Sequence, residues 1–153
     1  MRILLSPDLH RRRRLVVTYE QAVREAVELY VATAYLTAWE LRRKVRGGCR
    51  RIIFLVGTDF GLTRKAALRS VLQWLPQRPS CLFRAVTHLP AGAFHPKVLV
   101  WKSRQERYYC LIGSSNLSKA AFTDNYEANA FSEIQEADFV RLRSWIEDIA
   151  EDA

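Results

Sequence analysis

The sequence contains Phe94-His95-Pro96-Lys97 and, shortly after it, Gly113-Ser114-Ser115-Asn116-Leu117, and these two segments decide how the chain is interpreted. Lys97 lies two residues after His95, so in a strand both side chains project from the same face. Histidine side chains ordinarily titrate near pH ~6.5 and can act as an unprotonated nucleophile or as a protonated acid. With one phosphate oxygen at the ammonium and phosphorus facing the imidazole, the pair predicts phosphodiester chemistry.

Two further polar side chains extend this candidate site. Asn116 provides a neutral donor for a second phosphate oxygen. Glu127 can hold the remaining N–H of His95 and so fix its tautomer, as the acid of a catalytic triad does. None of these side chains needs a metal for its role, so we expect no metal and no cofactor.

The pattern resembles the phospholipase D superfamily. His95-x-Lys97, then Gly113-Ser114-x-Asn116 and then Asn125-x-Glu127 match that superfamily's HxK…GSxN signature with a downstream acidic residue, and the run is similar to the nuclease, restriction-endonuclease-like branch. The third letter of the HKD motif is missing, because the position five residues after Lys97 is Lys102. Tyrosyl-DNA phosphodiesterases and some metal-independent restriction nucleases of the superfamily also lack that aspartate. The absence of this aspartate weakens the case for a lipase or lipid synthase.

The resemblance implies a fold, a mechanism and an assembly. It implies an α/β fold with a mixed, mostly parallel sheet between helices, and one catalytic domain over residues 1–153. His95 would form a phosphohistidine, Lys97 and Asn116 would stabilise charge on the phosphate oxygens, and Ser114 would add a hydroxyl donor. A complete site needs two histidine motifs, and neither His10 nor His88 has a lysine two residues later. The family therefore predicts a homodimer with a shared site.

Each part of the pattern also has an ordinary structural interpretation. A histidine beside a proline is often a turn residue, Ser and Asn at positions 114–116 are strong helix N-caps, and Glu127 is consistent with a surface charge. The co-occurrence of the three parts, in order and in strand contexts, favours the catalytic interpretation.

The charge of the chain favours a polyanionic partner. The formal net charge is +8, and the basic residues gather at Arg11 to Arg14, Arg42 to Arg51 and Arg64 to Arg69. Such a surface attracts nucleic acid. Solvated surface charge is the simpler account of any single cluster, and charge alone is also consistent with anionic lipid.

Two other segments are candidates for substrate binding. The turn at residues 57–61 could offer backbone N–H groups to phosphate, although an ordinary strand-to-helix turn is the simpler interpretation. Trp101, Tyr108 and Tyr109 could stack on bases, with core packing as the usual interpretation.

Composition and length predict one compact domain inside the cell. The 153 residues are 49% hydrophobic, but no apolar run approaches the roughly 18 residues of a membrane span. The apolar stretch before Arg11 is too short for a signal peptide. The three cysteines, Cys49, Cys81 and Cys110, are widely spaced and indicate neither a zinc site nor a disulfide framework. We expect buried thiols and a cytoplasmic location.

The hydrophobic pattern predicts strands that alternate with helices. The predicted strands cover residues 31–36, 51–56, 81–86, 97–101, 108–112 and 126–131. The predicted helices cover residues 19–30, 38–45, 62–75 and 134–149. His95, Lys97, Asn116 and Glu127 then converge at one edge of the sheet.

Three functions remain open on these residues. The first is a metal-independent endonuclease that acts on DNA and can be joined to a DNA-recognition or helicase module. The second is a phospholipid phosphodiesterase or phosphatidyltransferase, and the third is a nucleic-acid-binding domain without catalysis. RNA versus DNA, strand preference and sequence specificity stay open.

Overall fold

A computed structural model describes residues 1–7, 14–39, 41–45, 47–87, 89–90 and 92–153. The seven strands are β1 (Arg2–Ser6), β2 (Ala26–Thr33), β3 (Arg51–Gly57), β4 (Cys81–Val86), β5 (Lys97–Ser103), β6 (Tyr108–Gly113) and β7 (Glu127–Ile134). The four helices are α1 (Arg14–Glu25), α2 (Lys65–Trp74), α3 (Lys119–Thr123) and α4 (Glu136–Asp152). None of the described helices is long and apolar enough to cross a membrane.

All seven strands form one mixed sheet in the order β1-β7-β6-β5-β2-β3-β4. Only the β2–β3 and β3–β4 pairings are parallel, and the other four pairings are antiparallel. The α/β class and the mixed sheet are confirmed, but the sheet is less parallel than predicted. Parallel strands need a long crossover, which β3 and β4 have in α2, whereas β5 and β6 are joined by a tight turn that forces them antiparallel.

Helices cover both faces of the sheet, as predicted. On one face, apolar side chains of α1, α2 and α3 pack on Leu29, Val31 and Leu99. On the other face, α4 packs Phe139, Ile146 and Ala150 on a second apolar cluster. Trp101 is fully buried, with its ring 5.0 Å from the ring of Tyr109 and 5.7 Å from that of Phe131. The core interpretation of these strand aromatics is correct.

The first helix and strand begin earlier in the chain than predicted. Helical spacing of apolar residues placed a helix at residues 19–30, yet the chain leaves α1 at Glu25 and enters β2 at Ala26. β2 pairs with β3 on one side and with β5 on the other, and seven of its eight residues are buried. Hydrogen bonding on both sides of a central strand outweighs the weak helical preference of a short apolar segment.

One further predicted element does not form, and two elements of the structure were not predicted. No helix forms in the described part of residues 38–45, where Leu41 and Val45 are buried and the Arg43 carbonyl accepts a 2.7 Å hydrogen bond from the Trp74 indole. Packing against the end of α2 replaces the helix there. The edge strand β1 and the short helix α3 were missed, because five-residue segments carry too little periodicity to detect.

The strand directions bring four connecting segments to one edge of the sheet, which we call the site edge. β2, β3, β4 and β6 end at this edge, while β5 and β7, which are antiparallel to their neighbours, begin there. The residues before Lys97, after Gly113 and before Glu127 therefore meet. The predicted convergence of the candidate site residues at one edge follows from this topology.

Candidate active site

His95 and Lys97 are in direct contact at the start of β5. His95 is exposed in the segment before the strand, and Lys97 is the first residue of the strand and half-buried. The Lys97 Nζ lies 3.0 Å from His95 Nδ1 and 3.2 Å from Nε2, and it donates a 3.1 Å hydrogen bond to the His95 carbonyl. Burial lowers the pKa of Lys97 below its ordinary value, and the nearby Glu127 carboxylate acts in the opposite direction.

The loop after β3 holds the histidine segment in place. Phe94, the residue before His95, is buried, and its backbone N–H donates a 3.0 Å hydrogen bond to the Asp59 carboxylate. The Phe60 ring lies 5.2 Å from the imidazole at an angle of 79°. From the sequence, this turn was predicted to contribute only its backbone N–H groups. The side chains of Asp59 and Phe60 were missed, because nothing in the local sequence relates residue 59 to residue 94.

Asn116 is buried next to the strand pair that carries Lys97. Its amide oxygen accepts a 3.3 Å hydrogen bond from the Tyr35 N–H and lies 3.5 Å from Thr33 Oγ1. Thr33 is the register partner of Lys97, and its hydroxyl oxygen also accepts a 3.3 Å bond from the Leu117 N–H. The end of β2 therefore fixes the amide so that its NH₂ group is directed away from the bonded oxygen.

A buried asparagine fixes the other side of the same loop. Asn129 Oδ1 accepts a 3.3 Å hydrogen bond from the Ser115 N–H, and Asn129 Nδ2 donates a 2.8 Å bond to Ser115 Oγ. Gly113 lies so close to the Ala128 carbonyl that a Cβ atom there would collide with it. Thr33 and Asn129 thus position Asn116 from two strands, and neither residue was predicted from the sequence.

Ser114 and Glu127 bind each other. The Ser114 hydroxyl donates to a Glu127 carboxylate oxygen and accepts a 3.0 Å hydrogen bond from the Ala128 N–H. The second oxygen of Glu127 accepts a 3.3 Å bond from the Asn125 amide. Among the described residues no hydrogen bond joins Glu127 to His95, so the expected clamp on the imidazole is not formed. Glu127 is instead positioned to act on Lys97 through its charge.

We expect Asn129→Ala to destabilise the protein. The substitution leaves the buried Ser115 hydroxyl and N–H without their partner, which costs about 1–3 kcal/mol of unfolding free energy. Urea unfolding followed by circular dichroism measures the change. Ser132→Ala on the same strand is the control. Among the described residues the Ser132 hydroxyl donates only to the neighbouring Glu133 carbonyl, so this substitution should change stability by less than about 0.5 kcal/mol. Equal stability of the two variants would contradict the anchoring role of Asn129.

The basic clusters lie at different places. Arg64 and Lys65 are exposed at the start of α2, at the site edge, whereas Arg50 and Arg51 lie at the opposite end of β3, where Arg51 pairs with Glu147 at 3.0 Å. Residues 11–13 and 46 of the predicted clusters lie outside the described residues, as do His10 and His88. Of the described residues in the predicted basic clusters, those at the start of α2 are therefore at the site edge.

The cysteines are free thiols away from this site. Cys49 and Cys110 are buried and Cys81 is half-buried. Burial raises the pKa of Cys49 to about 11 and that of Cys110 to about 12, so both stay protonated near neutral pH. In the part of the chain that the structure describes, no group of three or more His, Cys, Asp or Glu side chains is arranged to hold a metal ion.

The chain matches one sequence family and is similar in fold to two solved structures. The family described as "NgoFVII restriction endonuclease N-terminal PLD domain" matches residues 13–153. NucT from Helicobacter pylori has a similar fold, with a TM-score of 0.69 and 16% identity over 99% of this chain and 95% of that one. Nuc from Salmonella typhimurium, a phospholipase D family member, matches with a TM-score of 0.68 and 15% identity over 99% of this chain and 93% of that one. At such identities these two structures establish the fold alone, and no curated protein matches the sequence.

Proposed function

The chain belongs to the phospholipase D-like family of the NgoFVII restriction endonuclease N-terminal domain, and we propose that it hydrolyses DNA through a covalent phosphohistidine on His95. The resemblance found in the sequence is thereby confirmed, and the enzyme class is that of a phospholipase D-like phosphodiester hydrolase. DNA as the substrate, independence of metal, and the phosphohistidine are our proposals. We further propose that residues 1–153 form one catalytic domain, which can be joined to a DNA-recognition or helicase module.

The observation that carries this proposal is the contact between Lys97 and the His95 imidazole at the site edge. A phosphodiester placed there meets the ammonium with one non-bridging oxygen while its phosphorus faces an imidazole nitrogen. The fixed amide of Asn116 donates to a second oxygen, because its own oxygen already accepts from the Tyr35 N–H. Donors that are held in place before the charge develops stabilise the transition state.

The proposed reaction has two displacements at phosphorus. In the first, a His95 nitrogen forms a bond to phosphorus as the bond to the leaving strand's oxygen breaks, and that oxygen takes a proton from a second histidine. In the second, water gives a proton to the second histidine and attacks phosphorus, which breaks the P–N bond and restores His95. Ser114 holds Glu127, and Glu127 maintains the charge of Lys97 throughout.

The experiment that tests this function is cleavage of supercoiled plasmid DNA in excess EDTA at low salt. We expect nicked and linear products from the wild-type protein, and slower cleavage as salt is raised, because backbone contacts release counterions. Labelled phosphatidylcholine vesicles under the same conditions should stay intact. Vesicle hydrolysis without DNA cleavage would favour the phospholipid alternative, and DNA binding without any cleavage would favour a non-catalytic domain.

We propose a homodimer in which the second histidine is the His95 of the partner chain. The sequence has one His-x-Lys motif, and the chemistry requires two histidines. Analytical ultracentrifugation should give the mass of a dimer. Refolding wild-type protein with an equal amount of His95→Ala should leave about a quarter of the activity, because random assortment makes about a quarter of the dimers fully wild type. A fully active monomer would exclude the shared site.

The pH profile should depend on Glu127. Charged Lys97 is required, so activity falls as pH rises through its pKa, which burial already places below the ordinary value. Glu127→Gln removes the carboxylate that opposes this lowering. We therefore expect the alkaline limb of the kcat/KM profile to move to lower pH in this variant.

The control for this experiment is Glu133→Gln on the same strand. Its carboxylate pairs with Arg107 near the far end of β7, and its removal should leave the alkaline limb where it is. A limb that stays in place in Glu127→Gln, or moves to higher pH, would show that the carboxylate does not act on Lys97.

The compartment we propose is the cytoplasm. The three free thiols suit a reducing environment.

A further inference from the structure

An exposed aromatic ring lies beside the proposed nucleophile. Phe60 is 47% exposed, whereas the other six phenylalanines of the chain are buried or half-buried. Its ring centre is 5.2 Å from that of His95, and the two rings are nearly perpendicular at 79°. A phenylalanine that remains this exposed gives up much of the stabilisation that burial of its ring would provide. In this position beside His95, the ring is open to contact with a bound ligand.

The backbone around Phe60 is held on both sides. The Gly61 N–H donates a 3.0 Å hydrogen bond to the Thr58 carbonyl, which closes a turn whose Gly61 has a φ of 63°, a conformation that favours glycine. Thr58 donates both its N–H and its hydroxyl to the Val86 carbonyl, each at 3.1 Å. Asp59 accepts the Phe94 N–H at 3.0 Å. The turn thus fixes the ring relative to the segment that carries His95.

We propose that Phe60 is a stacking subsite for the nucleobase adjacent to the scissile phosphate. This inference rests on the proposed function, because a phosphodiester bound at His95 places its neighbouring nucleotides next to this ring. Every base has a π face, so an aromatic platform binds bases with little sequence preference. Arg64 and Lys65 follow the same turn, are exposed, and supply positive charge for flanking phosphates.

The geometry of stacking selects the substrate class. In a duplex both faces of a base are covered by its neighbours, and an aromatic side chain reaches a base only after that base leaves the stack. The subsite therefore takes single-stranded nucleic acid or a locally opened duplex. A purely orienting role of Phe60 through its contact with the imidazole would instead affect every diester equally.

The test compares two single-stranded substrates that share a backbone. One is an end-labelled oligodeoxynucleotide, and the other is an end-labelled oligomer of tetrahydrofuran abasic phosphates, which has no bases. For Phe60→Leu we expect the ratio of kcat/KM for the oligodeoxynucleotide to that for the abasic oligomer to fall by about 5- to 100-fold relative to wild type. Phe60→Tyr, which keeps a π face, should keep the wild-type ratio. Leu72→Ala, at an exposed position on α2, is the matched surface control and should also keep it.

Binding is measured separately from turnover. A single-stranded oligonucleotide with one 2-aminopurine loses fluorescence when that base stacks on an aromatic ring, and we expect stronger quenching by wild-type protein than by Phe60→Leu. An unchanged ratio of kcat/KM together with equal quenching would overturn the subsite. An equal loss on both substrates would also overturn it, in favour of imidazole orientation. If the wild type cleaves neither substrate but still quenches through Phe60, the proposed catalytic function fails while the subsite stands.

Discussion

His95→Ala should abolish cleavage of plasmid DNA in EDTA, with a loss on the order of 10⁴-fold or more in kcat. His95 is the nucleophile in the proposed reaction. Among the described residues, its imidazole is the side chain that lies within hydrogen-bond distance of the Lys97 ammonium. The side chain is exposed, so its removal leaves the core intact and the melting temperature close to that of wild type. Cleavage assays and thermal unfolding on the same preparations measure both quantities.

Trapping of the intermediate adds an independent readout. Wild-type protein mixed with a radioactive phosphodiester and denatured in alkali should retain label that is released in acid, which is the behaviour of a P–N bond. His95→Ala should retain none. Full activity in a purified His95→Ala protein would remove the residue from the mechanism, and label that survives acid would point to a different nucleophile.

Lys97→Ala should lower kcat by about 10²–10³-fold with a smaller change in KM. The ammonium is proposed to stabilise charge that grows on a non-bridging oxygen in the transition state, so its loss affects the chemical step more than substrate binding. Because Lys97 is half-buried at the first position of β5, the alanine variant should still fold. Single-turnover kinetics with the protein in excess separate the chemical step from product release.

Lys102→Ala is the matched control on the same strand. Its ammonium pairs with Glu106 near the other end of β5, and it also occupies the position where the superfamily motif has an aspartate. We expect nearly wild-type kcat from this variant, since its side chain lies away from the site edge. A loss in Lys102→Ala as large as that in Lys97→Ala would mean that strand integrity, rather than the charge of Lys97, controls the rate.

The local sequence was sufficient for the elements with strong periodicity. The apolar run at β3, the basic amphipathic α2 and the long α4 were predicted with ends within a few residues. The β3 run is almost continuously apolar, and the buried residues of the two helices recur at helical spacing. The boundary between α1 and β2 was not predicted, since alternating and helical apolar spacing are both present near Ala26. Pairing with β3 and β5 decided it in favour of the strand.

The candidate site was also predictable only in part. Two-residue spacing placed Lys97 with His95, and the 114–116 segment was recognised by its motif. The bonds of Glu127 to Ser114 and of Asp59 to the Phe94 N–H join residues that are 13 and 35 positions apart. No local pattern encodes such pairs, and the assignment of Glu127 to the imidazole followed the analogy of a triad.

The sequence by itself determined the family, the α/β class and the polar side chains available for chemistry, because these follow from residue identity and short-range spacing. The tertiary structure decided which of those side chains touch. Four of the six strand pairs turned out to be antiparallel, and that topology brings the ends of β2 and β6 and the starts of β5 and β7 to one edge. At this edge Thr33 and Asn129 fix the loop that holds Asn116, and Phe60 lies beside His95. These contacts depend on the tertiary structure, because strand pairing brings together residues that are far apart in the chain.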